Sequence, residues 1–298
     1  ANYSYSTRGP PLTRFVVDGK VKGGGRFLVQ WVHFYLSLQM ADRVYLSDNG
    51  NNEDAIGELR RTFDEERLVV IRNLDFPKYF GGDGFDGPGV SRWTMDEELR
   101  LFPPRPGRRT WLLRCDMDEY LFGRSQPLKL ELAEARYNDV SQVTMHGKLF
   151  VSPTLHDPER YTDITDMVCG GNFAGMHVMD IFKSIVDISG AQEDNPQRKY
   201  HKFDLKKGLR GLEVRLVRRG APCEKSLVDP SSPIQFHHYQ FSSRSSSRWK
   251  AGNNAIGGPG RPRWYLYHAY NGTNGTPVRT DDSLQRLVAC GGYDRVGC

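Results

Sequence analysis

The chain has 298 residues and a net charge of +5, with 38% hydrophobic, 26% charged and 11% aromatic residues. These proportions are those of a globular protein with a hydrophobic core, and they exclude an intrinsically disordered chain. No segment approaches the roughly 20 apolar residues that a membrane-spanning helix needs, so we expect no membrane span in the chain as given. The mild positive charge is spread along the sequence and does not indicate a nucleic-acid-binding protein.

Five cysteines are scattered along the chain without a Cys-x-x-Cys pair, which argues against a structural zinc site. Their number allows one or two disulfides and leaves one thiol over, and Cys290 and Cys298 are the nearest pair in sequence. Three Asn-x-Ser/Thr sequons occur, at Asn2, Asn271 and Asn274. These sequons favour a secretory-pathway protein, although such triplets also arise by chance.

The first third of the chain alternates between strand and helix patterns. Residues 15–17 predict a first strand, and apolar residues at helical spacing over 27–38 predict an amphipathic helix. A buried strand is expected at 43–47, a second helix at 53–63 and another strand at 68–71. Strand, helix and strand in this order form a right-handed βαβ unit, which favours a parallel sheet.

The remainder reads as shorter elements. The glycine-rich residues 78–92 predict a loop, followed by a short helix at 95–102. Further helices are expected at 128–135, 243–251 and 283–289, and further strands at 110–115, 140–145, 180–188, 212–217 and 234–239. We expect one catalytic domain over residues 1–252 and a C-terminal extension, 253–298, that packs on or near it.

The most informative segment runs from Trp111 to Leu121, an apolar strand that leads into Asp116-Met-Asp118-Glu-Tyr. On an alternating strand, Asp116 and Asp118 share one face at the carboxyl end, where open α/β sheets bind their ligands. Two adjacent carboxylates suit a magnesium or manganese ion that bridges to a diphosphate. The alternative interpretation of this bare DxD motif is a solvated acidic turn.

A second candidate site follows the last predicted strand, at the adjacent His237 and His238. A neutral imidazole at a strand end can bind a metal ion and is a reasonable partner for Asp118. Arg248 and Lys250, farther along, have the charge to face a phosphate. The alternative is a partly buried polar strand end, since paired histidines are more often structural.

Four segments, in order, resemble the glycosyltransferases of family 92 and their relatives in the GT-A, nucleotide-sugar-binding superfamily. Residues 27–49 resemble the opening motif of that family, with Gln30 where a Glu is usual, and residues 111–121 resemble its metal motif. Lys183 is similar to a lysine that precedes a strand in the family, and the last segment, His238-Tyr239 with Ser243 and Lys250, matches the spacing of its C-terminal signature. The resemblance covers residues 27–252.

The resemblance implies a GT-A type α/β domain, in which helices flank a mostly parallel central sheet with a Rossmann-like nucleotide-binding half and an acceptor half. It implies metal-dependent, inverting transfer of a hexosyl or pentosyl group from a nucleoside diphosphate sugar, a UDP-sugar by default, to a hydroxyl of a glycan or glycoprotein. The implied residues are Asp116, Asp118 and His238 for Mn²⁺ or Mg²⁺, and Asp48, Asn49, Asp116, Lys183, Ser243 and Lys250 for the donor. Inversion also requires a catalytic base, for which Glu193 and Asp194 are the candidates, and the alternative interpretation of that segment is a solvated loop.

The resemblance also implies a Golgi or other secretory-pathway lumenal location, reached through a membrane anchor that this chain does not contain. Two alternative functions remain at this point. A glycoside hydrolase would use two carboxylates and usually no cation. A non-catalytic glycan-binding or structural protein could retain the fold without turnover.

Overall fold

A seven-stranded sheet of mostly parallel strands forms the centre of the protein in the computed structural model. The structure describes residues 12–21, 25–48, 50, 52–72, 87–146, 148–151, 168–169, 182–191, 203–214, 232–241 and 293. Its strands are β1 (Leu12–Val21), β2 (Arg43–Asp48), β3 (Leu68–Arg72), β4 (Arg108–Asp116), β5 (Glu119–Gly123), β6 (Gln142–His146), β7 (Lys148–Val151), β8 (Val168–Cys169), β9 (Phe182–Asp187), β10 (Gly211–Val214) and β11 (Ile234–Phe241). Its α-helices are α1 (Gly25–His33), α2 (Glu53–Thr62), α3 (Gly87–Leu101) and α4 (Leu128–Leu132).

The strand order in the large sheet is β3-β2-β1-β4-β9-β6-β10. Strands β1 to β4 are mutually parallel, and β9 runs antiparallel to both of its neighbours. An order that starts 3-2-1-4 is that of a doubly wound nucleotide-binding fold, with its topological switch point between β1 and β4. The predicted fold class, a mostly parallel sheet flanked by helices, is confirmed.

Both faces of this sheet are covered. Phe15 and Val17 of β1 belong to one buried cluster, with α1, whereas Val16 faces a second cluster under α3. This explains the apolar run Phe15-Val16-Val17 in the middle of the strand, since parallel strands are usually buried on both sides. On the second face, Glu98 of α3 pairs with Arg14 of β1 at 2.5 Å, which anchors this helix to the sheet.

A smaller sheet of order β5-β11-β7-β8 adjoins the large one, and the sequence did not predict it. Strand β11 pairs antiparallel with β5 and parallel with β7. The residues of β5 follow β4 after a two-residue turn, so this turn passes the chain directly from one sheet to the other. The second sheet therefore begins at the predicted metal motif.

The predicted loop over 78–92 is wrong for its last six residues, because α3 begins at Gly87. Pro88 lies in the first turn of this helix, where a missing backbone N–H costs nothing.

The predicted helices at 243–251 and 283–289, the three sequons and the Cys290–Cys298 pair lie outside the described residues. The division at residue 252 stays a prediction. In the part of the chain that the structure describes, no helix has the length and apolar character to cross a membrane.

Helix α1 packs on the sheet through a close contact at Gly19 of β1. A Cβ atom at Gly19 would lie 2.3 Å from Cη2 of Trp31, whose side chain is fully buried. We therefore expect Gly19→Ala to lower the free energy of unfolding by about 2 kcal/mol through overpacking. Gly57→Ala is the matched control, because its Cβ would meet its nearest neighbour, Arg61, only at 4.0 Å. At this half-buried position in the middle of α2, alanine should raise stability by up to about 1 kcal/mol. Denaturant unfolding of both variants measures the difference, and equal effects would contradict this packing.

Candidate active site at the carboxyl ends of the strands

Two acidic residues lie at the carboxyl ends of two strands of the large sheet, one on each side of β1. Asp48 is the last residue of β2 and Asp116 is the last residue of β4. They flank the end of β1, where Val21 is in register with Asp48 and Lys20 is in register with Asp116. This is the switch point of the sheet, where doubly wound proteins bind their ligands.

The acidic turn that follows β4 differs from the predicted geometry. The strand ends at Asp116, Met117 and Asp118 form a turn, and β5 begins at Glu119. The prediction that Asp116 and Asp118 share one strand face is therefore wrong, because the chain leaves the strand between them. The Asp116 side chain is 59% exposed and the Asp118 side chain is 24% exposed. Both carboxylates thus remain accessible from solvent.

Glu119 is the buried residue that shapes this turn, and it is not among the site residues predicted from the sequence. Its Oε2 accepts a hydrogen bond from the backbone N of Asp116 at 2.7 Å and lies 2.6 Å from Nζ of Lys183. Its backbone oxygen accepts from Nε1 of Trp31 at 3.1 Å and from the hydroxyl of Tyr35 at 3.2 Å. The available signal was a single carboxylate at the start of an otherwise apolar strand, because such a group needs a buried partner.

Tyr35 fixes the acidic turn through the hydrogen bonds of its hydroxyl. Its hydroxyl accepts from the backbone N of Leu121 at 2.9 Å and from the Cys115 thiol at 3.3 Å while it donates to Glu119. Burial raises the pKa of Tyr35 well above its ordinary value, and the nearby Cys115 adds to this shift. Burial likewise raises the pKa of the Cys115 thiol. Both groups therefore keep their protons, so the Tyr35 hydroxyl stays a hydrogen-bond donor.

Lys183 is the second residue of β9, within the strand and not before it. Its ammonium is almost fully buried and lies 3.9 Å from Oδ2 of Asp116 in addition to its short contact with Glu119. Burial lowers the pKa of Lys183, but the charges of Glu119 and Asp116 outweigh that effect and raise it overall. Burial raises the pKa of Glu119, and the Lys183 ammonium opposes this shift. We conclude that Lys183 is charged.

His238 reaches the turn from β11. It lies in register with Glu119 of β5, and its Nε2 is 3.5 Å from Oδ2 of Asp118. Its Nδ1 is buried and has no hydrogen-bond partner among the described residues. The neighbouring His237 is fully buried and packs edge-on against Phe122 with ring centroids 4.9 Å apart. The two histidines thus have different surroundings, as expected from strand alternation.

Asp48 shapes the loop after β2. Its Oδ1 accepts from the backbone N of Gly50 at 2.9 Å and from Nδ2 of Asn52 at 2.7 Å. Gly50 has a φ of 96°, a left-handed conformation that glycine adopts without strain. The side chain of Asp48 is thereby fixed at the strand end, beside the switch point.

The structure thus brings together four of the predicted site residues around one turn. A fifth, Asp48, lies two strands away in the same sheet. Asp116, Asp118, Lys183 and His238 lie around one turn, and Asp48 ends β2. The other predicted residues lie outside the described part of the chain, namely Asn49, Glu193, Asp194, Ser243 and Lys250.

Two carboxylates are suitable ligands for Mn²⁺ or Mg²⁺, and an imidazole beside them favours a transition metal such as Mn²⁺ over Mg²⁺. As placed, no three His, Cys, Asp or Glu side chains within the described ranges form a group that holds a metal ion by itself. Asp116, Asp118 and His238 supply donor atoms that a divalent cation would use at this turn, with further ligands needed to complete its coordination.

No protein-family model and no curated protein matches this chain. Among solved structures, 4-diphosphocytidyl-2C-methyl-D-erythritol synthase from Anaerococcus prevotii aligns over 59% of this chain and 71% of its own, with 12% identity and a TM-score of 0.30. TarS of S. aureus aligns over 46% of this chain and 22% of its own, again with 12% identity and a TM-score of 0.30. Likenesses of this size carry no argument about activity. Membership of glycosyltransferase family 92 stays a prediction from the sequence motifs.

We expect Tyr35→Phe to loosen the acidic turn, because it leaves the backbone N–H of Leu121 without its partner. A buried unsatisfied donor costs about 1–3 kcal/mol, so the free energy of unfolding should fall by that amount. Tyr137→Phe is the control, since the Tyr137 hydroxyl donates to Glu131 instead. Hydrogen exchange gives the local readout. Exchange at Leu121 should accelerate relative to Val17 of β1 only in Tyr35→Phe, and unchanged exchange there would contradict this role.

Proposed function

We propose that the chain is a glycosyltransferase that moves a sugar from a nucleoside diphosphate sugar to a hydroxyl of a glycan or glycoprotein. The supporting observation is that Asp118 faces His238 in the turn that directly follows Asp116, the last residue of β4, beside the switch point of the sheet. This combines an oxygen-rich ligand set with the position at which this fold class binds nucleotides.

The diphosphate of the donor would bind at the acidic turn. Asp116 and Asp118 would hold a Mn²⁺ or Mg²⁺ ion there, with His238 as the nitrogen ligand. When bound, such a cation neutralises the negative charge that develops on the leaving diphosphate. His238 Nε2 lies 3.5 Å from Oδ2 of Asp118, which is close enough for both side chains to bind one cation.

The nucleoside would bind toward β2, on the other side of the end of β1. Asp48 and Asp116 are two strands apart, a separation of about 10 Å at the usual strand spacing. We assign Asp48 and Asn49 to the nucleoside, and Ser243 and Lys250 to the phosphates on the strength of the sequence signature. UDP is the default nucleotide on the same basis.

The acceptor hydroxyl would attack the anomeric carbon as the bond to the diphosphate oxygen breaks. In an inverting reaction, a base must take the proton of that hydroxyl. Glu193 and Asp194 are the candidate bases, and they follow shortly after β9, which carries Lys183. The three sequons motivate a lumenal location.

The direct test is a panel of nucleotide sugars, with and without Mn²⁺, scored by the melting temperature of the chain and by sugar transfer. We expect a manganese-dependent rise in melting temperature with at least one donor. A panel without any such rise would contradict the proposal. Metal-independent cleavage of an oligosaccharide would instead favour a glycoside hydrolase.

Asp118→Asn should abolish manganese-dependent binding of UDP, because an amide binds a divalent cation far more weakly than a carboxylate. The fold should persist, since Asp118 lies in a partly exposed turn. Asp139→Asn is the matched control, at an exposed carboxylate that pairs with Arg210. Isothermal titration calorimetry measures both variants. Unchanged manganese-dependent affinity in Asp118→Asn would remove this residue from the metal site.

His238→Ala and His237→Ala should have opposite signatures. His238→Ala should lower turnover strongly with little loss of stability, because the imidazole faces Asp118 at the edge of the turn. His237→Ala should mainly lower stability, because its ring fills space against Phe122 in the core. Turnover and thermal unfolding, measured on both variants, separate these effects. A larger loss of turnover in His237→Ala would assign the site to the wrong histidine.

A further inference from the structure

A buried ion pair joins the two sheets directly behind the acidic turn. Lys183 belongs to β9 of the large sheet and Glu119 begins β5 of the small sheet. Nζ of Lys183 lies 2.6 Å from Oε2 of Glu119, and the two side chains are only 3% and 2% exposed. The contact is therefore charged, short and shielded from solvent.

Such a pair contributes little net stability, because the cost of burying two charges offsets most of their attraction. Its geometry is more informative than its energy. The same Oε2 of Glu119 that meets Lys183 also accepts the hydrogen bond from the backbone N of Asp116. Lys183 thus holds Glu119 Oε2 in place, and this oxygen in turn holds the backbone N–H of Asp116. In addition, Nζ of Lys183 lies 3.9 Å from the Asp116 carboxylate.

A direct contact between Lys183 and a donor phosphate is difficult to reconcile with this arrangement. The ammonium would have to leave a 2.6 Å contact and deprive a buried carboxylate of its lysine partner. Leaving that carboxylate uncompensated is strongly destabilising.

We propose that Lys183 and Glu119 are positioning residues that hold the Asp116–Glu119 turn in its binding geometry. Lys183 acts through Glu119 and not by contact with the donor. This inference rests on the proposed function for what the turn binds. The hydrogen bond from the Asp116 amide to Glu119 is present in the chain without any ligand.

The test is a cycle of Lys183→Met, Glu119→Gln and the double variant, with Lys129→Met as the matched control. Lys129 forms a partly exposed ion pair with Asp42, so its loss removes a lysine charge elsewhere. Two quantities are measured, namely the affinity for UDP with Mn²⁺ and the hydrogen-exchange rate of the Asp116 amide in the metal-free protein.

In Lys183→Met, Glu119 is left as a buried, uncompensated carboxylate. We expect the affinity for UDP with Mn²⁺ to fall at least about tenfold, the usual loss when a residue that supports a metal ligand is removed. Exchange of the Asp116 amide should accelerate. The double variant restores a neutral pair, and its glutamine oxygen can still accept from the Asp116 amide. Both quantities should therefore recover toward the wild-type values, and Lys129→Met should leave them unchanged.

Two results would overturn the proposal. If Lys183 contacts the donor itself, the double variant binds as weakly as Lys183→Met. If the pair only supports the fold, Lys183→Met lowers the melting temperature but leaves the affinity and the Asp116 exchange rate unchanged. Should Lys183→Met fail to fold, recovery in the double variant relative to Glu119→Gln decides the same question. A wild-type chain that binds no nucleotide refutes the proposed function, whereas Asp116 exchange still decides the positioning role.

Discussion

The burial of the Glu119 carboxylate is the constraint on which the candidate site depends. A carboxylate away from water must be paired and hydrogen-bonded, and here each partner comes from a different part of the fold. Lys183 comes from β9 and the Asp116 amide from the end of β4. Trp31 of α1 and Tyr35, two residues beyond the end of α1, donate to the Glu119 backbone oxygen. The large sheet, its covering helix and the acidic turn therefore have to assemble together.

The same residue sets where the second sheet meets the first. Glu119 is the first residue of β5, so fixing it fixes the strand with which β11 pairs. Because His238 is in register with Glu119, the pairing brings the imidazole beside the preceding residue, Asp118. The position of His238 is thus a consequence of strand register and not of local sequence. A shift of one residue would turn His237 toward the turn instead.

Local patterns predicted those parts of the fold that depend on local periodicity. The apolar spacing of α1 and the runs at β1 to β4 gave the elements of the parallel half-sheet, and an apolar strand ending in Asp116 located the site. Three features depended on contacts that sequence spacing does not reveal: the β5–β11 pairing, the turn that separates Asp116 from Asp118, and the partnership of Lys183 with Glu119. The helix start at Gly87 was missed because glycine and proline indicate a loop by composition, although proline is favourable in a first helical turn.

The three carboxylates of the motif differ in environment, and this difference supports the proposed cation site. Glu119 is withdrawn from solvent and neutralised by Lys183, whereas Asp116 and Asp118 remain at the surface. In their usual charge states, three carboxylates and one ammonium leave a net of two negative charges. That excess matches one divalent cation, which would also relieve the repulsion between the two aspartates. Without Lys183, nothing from that lysine would oppose the burial that raises the pKa of Glu119. The lysine therefore sets the charge of the site while it holds the turn, and a single buried ion pair accounts for both properties.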